Sequence, residues 1–138
     1  MAVPTVSYGP RKLTGSLFVL VGSVLLLLAV FSGYKRLEFI QTAEVVEAKV
    51  VSLNSGGSHP QIEFKDGRGE TVSYPQGGLI YGYEVGDAVR VLYRPENPAA
   101  TALLDAPGSL WGGVFSGLVV GLIFSAVGIA RLFRVKRT

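Results

Sequence analysis

The sequence predicts a membrane protein in which two transmembrane α-helices flank a small antiparallel all-β domain, about five strands arranged as a barrel-like or half-open sandwich. Three observations carry this expectation. Of the 138 residues, 49% are hydrophobic and only 17% charged, with a mean hydropathy of +0.41, which is too apolar for an ordinary soluble domain. Two stretches hold no charge at all: residues 13–34, between Lys12 and Lys35, and residues 106–130, between Asp105 and Arg131. The 75 residues from 35 to 109 change character and alternate β-branched and charged residues in short runs broken by glycine and proline.

The first apolar stretch, residues 13–34, is 22 residues long and centres on Val24, Leu25, Leu26, Leu27 and Leu28. As a helix it covers roughly 33 Å, enough for the hydrocarbon core of a bilayer. It is long for a signal peptide, and no small-x-small cleavage site precedes Lys35, so it is read as an uncleaved anchor. The second span is placed at residues 110–130. A chain this short cannot wrap two such helices on every face, which argues against a soluble core.

Charge sets the orientation. Outside the central segment stand Arg11, Lys12, Arg131, Arg134, Lys136 and Arg137 with no acidic residue, whereas all ten Asp and Glu lie within residues 35–109 beside seven Lys and Arg. Basic residues near span ends are retained in the cytoplasm. The expected layout is therefore cytoplasmic tails at residues 1–12 and 131–138 and an extracytoplasmic β domain at 35–109, in the inner (plasma) membrane. Tyr34 and Trp111 take interfacial positions, with Arg131 and Arg134 at the cytoplasmic boundary. The overall charge of +3 sits in the tails, so it fits anionic headgroups and not nucleic acid.

Within the central segment, Val46, Ala48 and Val50 alternate with Glu47 and Lys49, and then Val51 and Leu53 continue one residue out of phase, the mark of a β-bulge. Ser55 to Ser58 form a turn, Ile62 and Phe64 face one side of the next strand, and Asp66, Gly67 and Gly69 make a hairpin connection. Val72 and Tyr74 define a strand that stops at Pro75, and residues 76–83 are an irregular crossing. Gly86 and Asp87 turn into Val89, Val91 and Tyr93, with Arg90 and Arg94 on the opposite face. Pro95 to Pro98 end that strand and residues 101–104 form the last one. No segment outside the two spans carries a helical period.

The run Tyr83-Glu-Val-Gly-Asp-Ala-Val-Arg-Val-Leu-Tyr-Arg-Pro-Glu-Asn-Pro98 joins a Gly-Asp turn, an alternating strand and a Tyr-x-Pro-x-Asn-Pro turn. With the preceding Ala48-Lys-Val-Val51 strand and a closing helix entered through Trp111, it resembles the two-helix membrane family of domain of unknown function 3592, over residues 17–132. The resemblance implies a bacterial inner-membrane protein with an outward β domain, and no assigned reaction or catalytic residue.

Chemistry is thinly provided. With no cysteine and one histidine, His59, there is no metal set, and neither a nucleophile elbow nor a phosphate-binding glycine pattern is present. Glu44 with Glu47 and Glu84 with Asp87 are solvated pairs beside a strand and a turn. No cofactor is expected. Tyr81, Tyr83 and Arg90 are the residues from which a ligand face for an envelope glycan or lipid headgroup would be built.

The strongest pattern is one of small residues. Ser109, Gly113, Gly117, Gly121 and Ser125 recur every four residues, and Gly15, Gly22 and Ala29 every seven, giving each helix a smooth face. Either these faces meet in an antiparallel hairpin, or the ladder is left for another membrane protein or a second copy. No charge interrupts either span, which argues against an ion path. The expectation is a non-enzymatic, membrane-anchored interaction module. It would be an accessory or assembly subunit of a membrane complex, or an envelope protective protein of immunity type.

Overall fold

The computed structural model describes residue 2 and residues 9–135, the last without its side chain; the remainder of the N-terminal tail and the basic pair Lys136 and Arg137 lie outside the described residues. The elements run α1 (Pro10–Thr42), β1 (Glu44–Asn54), β2 (His59–Lys65), β3 (Thr71–Pro75), β4 (Ala88–Tyr93), α2 (Pro98–Thr101), β5 (Leu103–Leu104) and α3 (Pro107–Val135). Two compact units result. One comprises Met1–Phe31 with Val114–Thr138, the other Ser32–Gly113.

The first unit is a helical hairpin. Each helix opens on proline, whose missing N–H is no loss in the first turn and whose φ is already helical. Both helices are long and apolar enough to cross a membrane. Away from their mutual contact they expose large apolar side chains, among them Leu13, Leu20, Leu27, Val30, Phe115 and Leu122. Phe18 and Phe124 stack across the hairpin with centroids 5.3 Å apart.

The second unit is a five-stranded antiparallel sheet in the order β3-β2-β1-β4-β5. Its inner face carries one core, built on Val50, Ile62, Phe64, Tyr74, Val91, Tyr93 and Leu104, with Ile80 from the crossing loop. β1 pairs β2 with a register shift between Val50 and Ser52, so the bulge falls where the hydrophobic phase changes. Val51 and Leu53 nevertheless stay 39% and 36% exposed, because nothing in this unit packs over them. At the bulge, Val50 N–H donates to Asp87 O (3.0 Å) and Gly86 N–H donates to Val50 O (2.8 Å), and Gly86 takes a φ of 99° that only glycine adopts readily.

Two helical stretches lie where the hydropathy pattern shows none. α1 continues through residues 35–42 because this last part has its own packing. Phe39 is buried with Leu92 and Leu110, Ile40 and Trp111 pack against that cluster, and Arg36 and Arg94 sit over the Phe39 ring at 6.0 and 5.7 Å. Pro98–Thr101 is a single turn, so Thr101 is helical and the final strand shrinks to Leu103–Leu104. α3 likewise begins at Pro107, ahead of the expected residue 110.

The sheet does not close by strand pairing: β3 and β5 are its edges. Gln76 spans the gap. Its side chain is buried, its Oε1 accepts from Leu104 N–H (2.7 Å) and Tyr74 Oη (3.0 Å), its Nε2 donates to Gly77 O (2.7 Å), and its own backbone N–H donates to Pro60 O (2.9 Å). A buried amide whose oxygen accepts two hydrogen bonds and whose nitrogen donates one is stabilising only while these partners stay in place. Gln76→Leu keeps the volume and orphans the Leu104 N–H and the Tyr74 hydroxyl. It is expected to cost about 3 kcal/mol, read as a lowered denaturant midpoint of the β unit, and an unchanged midpoint refutes the bridging role.

Candidate interaction surfaces

The seam of the hairpin is built from glycines that leave no room for a Cβ. A Cβ on Gly121 would stand 2.9 Å from the Leu26 side chain and 3.2 Å from Gly22 O. One on Gly128 would meet Val19 at 2.7 Å and Gly15 O at 2.8 Å, and one on Gly15 would meet Leu132 at 3.1 Å. Gly22 lies against Ser125 and Gly117 against Ala29. Ser125 Oγ is enclosed there with no hydrogen-bond partner among the described residues.

The four-residue ladder is therefore only partly in the seam. Gly117, Gly121 and Ser125 are. Gly113 faces open space, and Ser109 is buried elsewhere, donating its hydroxyl to Leu104 O and Ala106 O where the chain turns into α3. The reason is angular. Four residues turn an α-helix through roughly 400°, so each step drifts about 40° and Ser109 and Ser125 end up on nearly opposite sides. A seven-residue step drifts only about 20°. The contacts obey it: Gly15, Gly22 and Ala29 on α1 meet Gly117, Gly121, Ser125 and Gly128 on α3. Gly128 is absent from the four-residue ladder and was discoverable as Gly121 plus seven.

The aromatics and cations expected at a membrane interface are also placed. Tyr34 is exposed, Trp111 packs beside the Phe39 cluster, and the Arg131 guanidinium lies 4.9 Å above the Phe18 ring.

In the β unit, Tyr81, Tyr83 and Arg90 do not form one face. Tyr83 packs on the inner core and Tyr81 is 80% exposed. Arg90 alternates with Val89 and Val91 of that core, so it projects from the opposite side of the sheet and pairs with Asp105 at 2.5 Å. A strand shows every second residue on each face, and a loop tyrosine cannot be assigned a face from spacing. What the crossing loop does present is an exposed apolar group, Leu79, Tyr81 and Val85. It is held at its start by backbone close approach: a Cβ on Gly108 would collide with the Leu79 carbonyl, and Gly78, at φ 103°, lies against Gly108.

His59 Nδ1 lies 2.9 Å from Ser58 Oγ, which itself donates to Ser55 O (3.0 Å) in the turn after β1. Among the described residues no group of three His, Cys, Asp or Glu could hold a metal. Burial raises the pKa of Tyr93 above the ordinary tyrosine value, helped by the Glu44 carboxylate that accepts its hydroxyl at 2.9 Å. That hydroxyl also accepts from Gly67 N–H (3.1 Å), tying the start of β1 to the β2–β3 turn. Burial likewise raises the pKa of Tyr74.

The architecture defines a class of small proteins that combine a glycine-seamed hairpin of two long apolar helices with a five-stranded antiparallel half-barrel sheet. The chain is 45% identical over 135 residues to Immune protein Tsi4 of Pseudomonas aeruginosa, an alignment that covers 96% of this chain and 93% of that protein. It belongs to the family of Immune protein Tsi4. No family model and no solved structure matches it.

A bulky residue in the seam must push the helices apart. Gly121→Ile is expected to destabilise the detergent-solubilised hairpin by about 2 kcal/mol, whereas Gly113→Ile leaves it unchanged. Thermal melts followed by helical circular dichroism separate the two, and equal melts refute the seam.

Proposed function

We propose that this chain is an immunity-type protein: it protects the cell that makes it by binding a toxin protein. The observation that carries the proposal is the near full-length kinship with a protein named for immunity. Of the two roles open to a contact module, accessory subunit or protective protein, that kinship favours the second.

The same reading makes α1 and α3 a membrane anchor. Two helices of sufficient length whose apolar side chains point outward, with every acidic residue within residues 35–109 and only basic charges in the flanks, support insertion with both ends cytoplasmic and the β unit outside. It is also what the resemblance on Tyr83 to Pro98 implies. The proposed action is by contact and not by catalysis: His59 is engaged by its neighbour Ser58 in a turn, and the crossing loop of the β unit exposes the apolar Leu79, Tyr81 and Val85. Leu79, Tyr81 and Val85, 52%, 80% and 61% exposed on one loop, are the surface that a toxin would cover, with Tyr81 as its aromatic anchor.

Deleting the gene in its native host is expected to leave that strain inhibited by its unmodified parent during mixed growth on a solid surface, and a copy supplied in trans restores it. A Leu79→Ser/Tyr81→Ala copy, made at equal abundance, loses roughly 2 kcal/mol or more of partner affinity and fails to restore. Equal survival of deletion strain and parent overturns the protective role. Full protection by the double variant overturns the loop alone.

Because the chain has no cysteine, single substitutions report topology cleanly. Asp66→Cys in spheroplasts is expected to react with a membrane-impermeant maleimide, and Lys136→Cys only after permeabilisation. The reverse pattern refutes the orientation.

A further inference from the structure

We infer that the open end of the helical hairpin is a binding site for one anionic phospholipid, its phosphate held between the ends of α1 and α3 and its acyl chains lying in apolar grooves on either side. The inference rests on the membrane reading above. Between the start of α1 and the end of α3 lies a cavity of about 770 Å³ whose charged lining is Arg11, Lys12, Arg131 and Arg134, with Thr14 on its wall. Residues 1–31 and 114–138, the whole hairpin unit, contain no Asp or Glu. Among the described residues both ion pairs, Lys35 with Glu38 and Arg90 with Asp105, belong to the other unit.

Four cations thus line one cleft in a unit with no acidic side chain to offset them. Mutual repulsion among cations lining one cleft is relieved by an anion from outside the chain. Arginine suits phosphate because its planar fork donates two parallel hydrogen bonds. Arg131 is already oriented, its guanidinium lying over the Phe18 ring.

The surroundings distinguish a lipid from a free anion. An apolar groove of about 400 Å³ lined by Ile129, Leu132 and Phe133 shares Lys12 with the cleft. A second, of about 470 Å³, is lined by Leu13, Ser16, Leu17 and Leu20 and shares Thr14 with it. A charged headgroup site flanked by two apolar slots matches a two-chain lipid. A soluble phosphate leaves both slots unused, and a nucleic acid cannot use them. Basic clefts between helices at the cytoplasmic boundary are the setting in which anionic headgroups bind.

The test uses the full chain in mild detergent, offered equal amounts of phosphatidylglycerol and phosphatidylcholine with matched acyl chains, with bound lipid counted by native mass spectrometry. Phosphatidylglycerol is expected to be retained in about fivefold excess. The excess should fall to parity in Arg131→Gln/Arg134→Gln and persist in Lys49→Gln/Lys65→Gln, which removes as much charge from the sheet. If the arginine variant fails to fold by circular dichroism, Lys12→Gln replaces it, with a loss of about half the excess expected. Parity in the unmodified protein, an excess indifferent to the cleft substitutions, or displacement of the lipid by millimolar inorganic phosphate each overturns the proposal. Carbonate extraction of native membranes separates the two readings. A chain that stays in the pellet and shows no lipid preference sinks the lipid site alone, and one that is released sinks the membrane anchor with it.

Discussion

An open five-stranded sheet has two edges, and in this protein one side-chain amide spans them. Gln76 takes a hydrogen bond from the last strand at Leu104 and another from Tyr74 at the end of the third, while its backbone is held by Pro60. Everything on the inner face depends on that bridge, because so few residues make a core only if the sheet curls far enough for both edges to share it. The bulge at Val51 bends the central strand, the Gly86 turn caps the bend, and Ile80 fills the space beneath the crossing loop. Exposed edges invite pairing with other chains. Here β5 is only two residues long and its Leu104 N–H is already engaged, which limits that risk.

The hairpin is governed by a different physics. On the proposed membrane reading, hydrocarbon outside an apolar helix is as favourable as a leucine inside the pair, so helices associate through close packing and not through burial. The glycines of the seam bring backbone to backbone, Gly121 against Gly22 and Gly128 against Gly15. The large side chains are turned outward, among them Leu13, Leu27 and Phe115. Both units therefore owe their specificity to what is missing or small: an absent Cβ in the seam, and a backbone carbonyl resting on Gly108 under the crossing loop.

This division fits the protective role proposed above. The kinship with Immune protein Tsi4 extends over nearly the whole of both chains and is not a local likeness. In that proposal the crossing loop, with Tyr81 exposed, is the recognition surface, and the two apolar helices are the anchor.

Sequence alone determined the two long helices, the five strands in their order, the position of the bulge and the turns at Asp66 and Gly86, because each is written in a local period or a local turn chemistry. It also showed that small residues dominate both helices. It did not show which of them touch: Ser109, Gly117 and Ser125 share a spacing, yet only the last two enter the seam, and Gly128 enters unannounced. Residues 35–42 are helical because Phe39 finds Leu92 and Leu110, more than fifty residues away, and Gln76 is central because Leu104 arrives beside it. Tyr83 and Arg90, seven apart in the chain, were separated by the thickness of the sheet. Periodicity reports how a residue is directed from its own element, whereas partners are brought together by chain segments distant in sequence, so only the tertiary structure decided who meets whom.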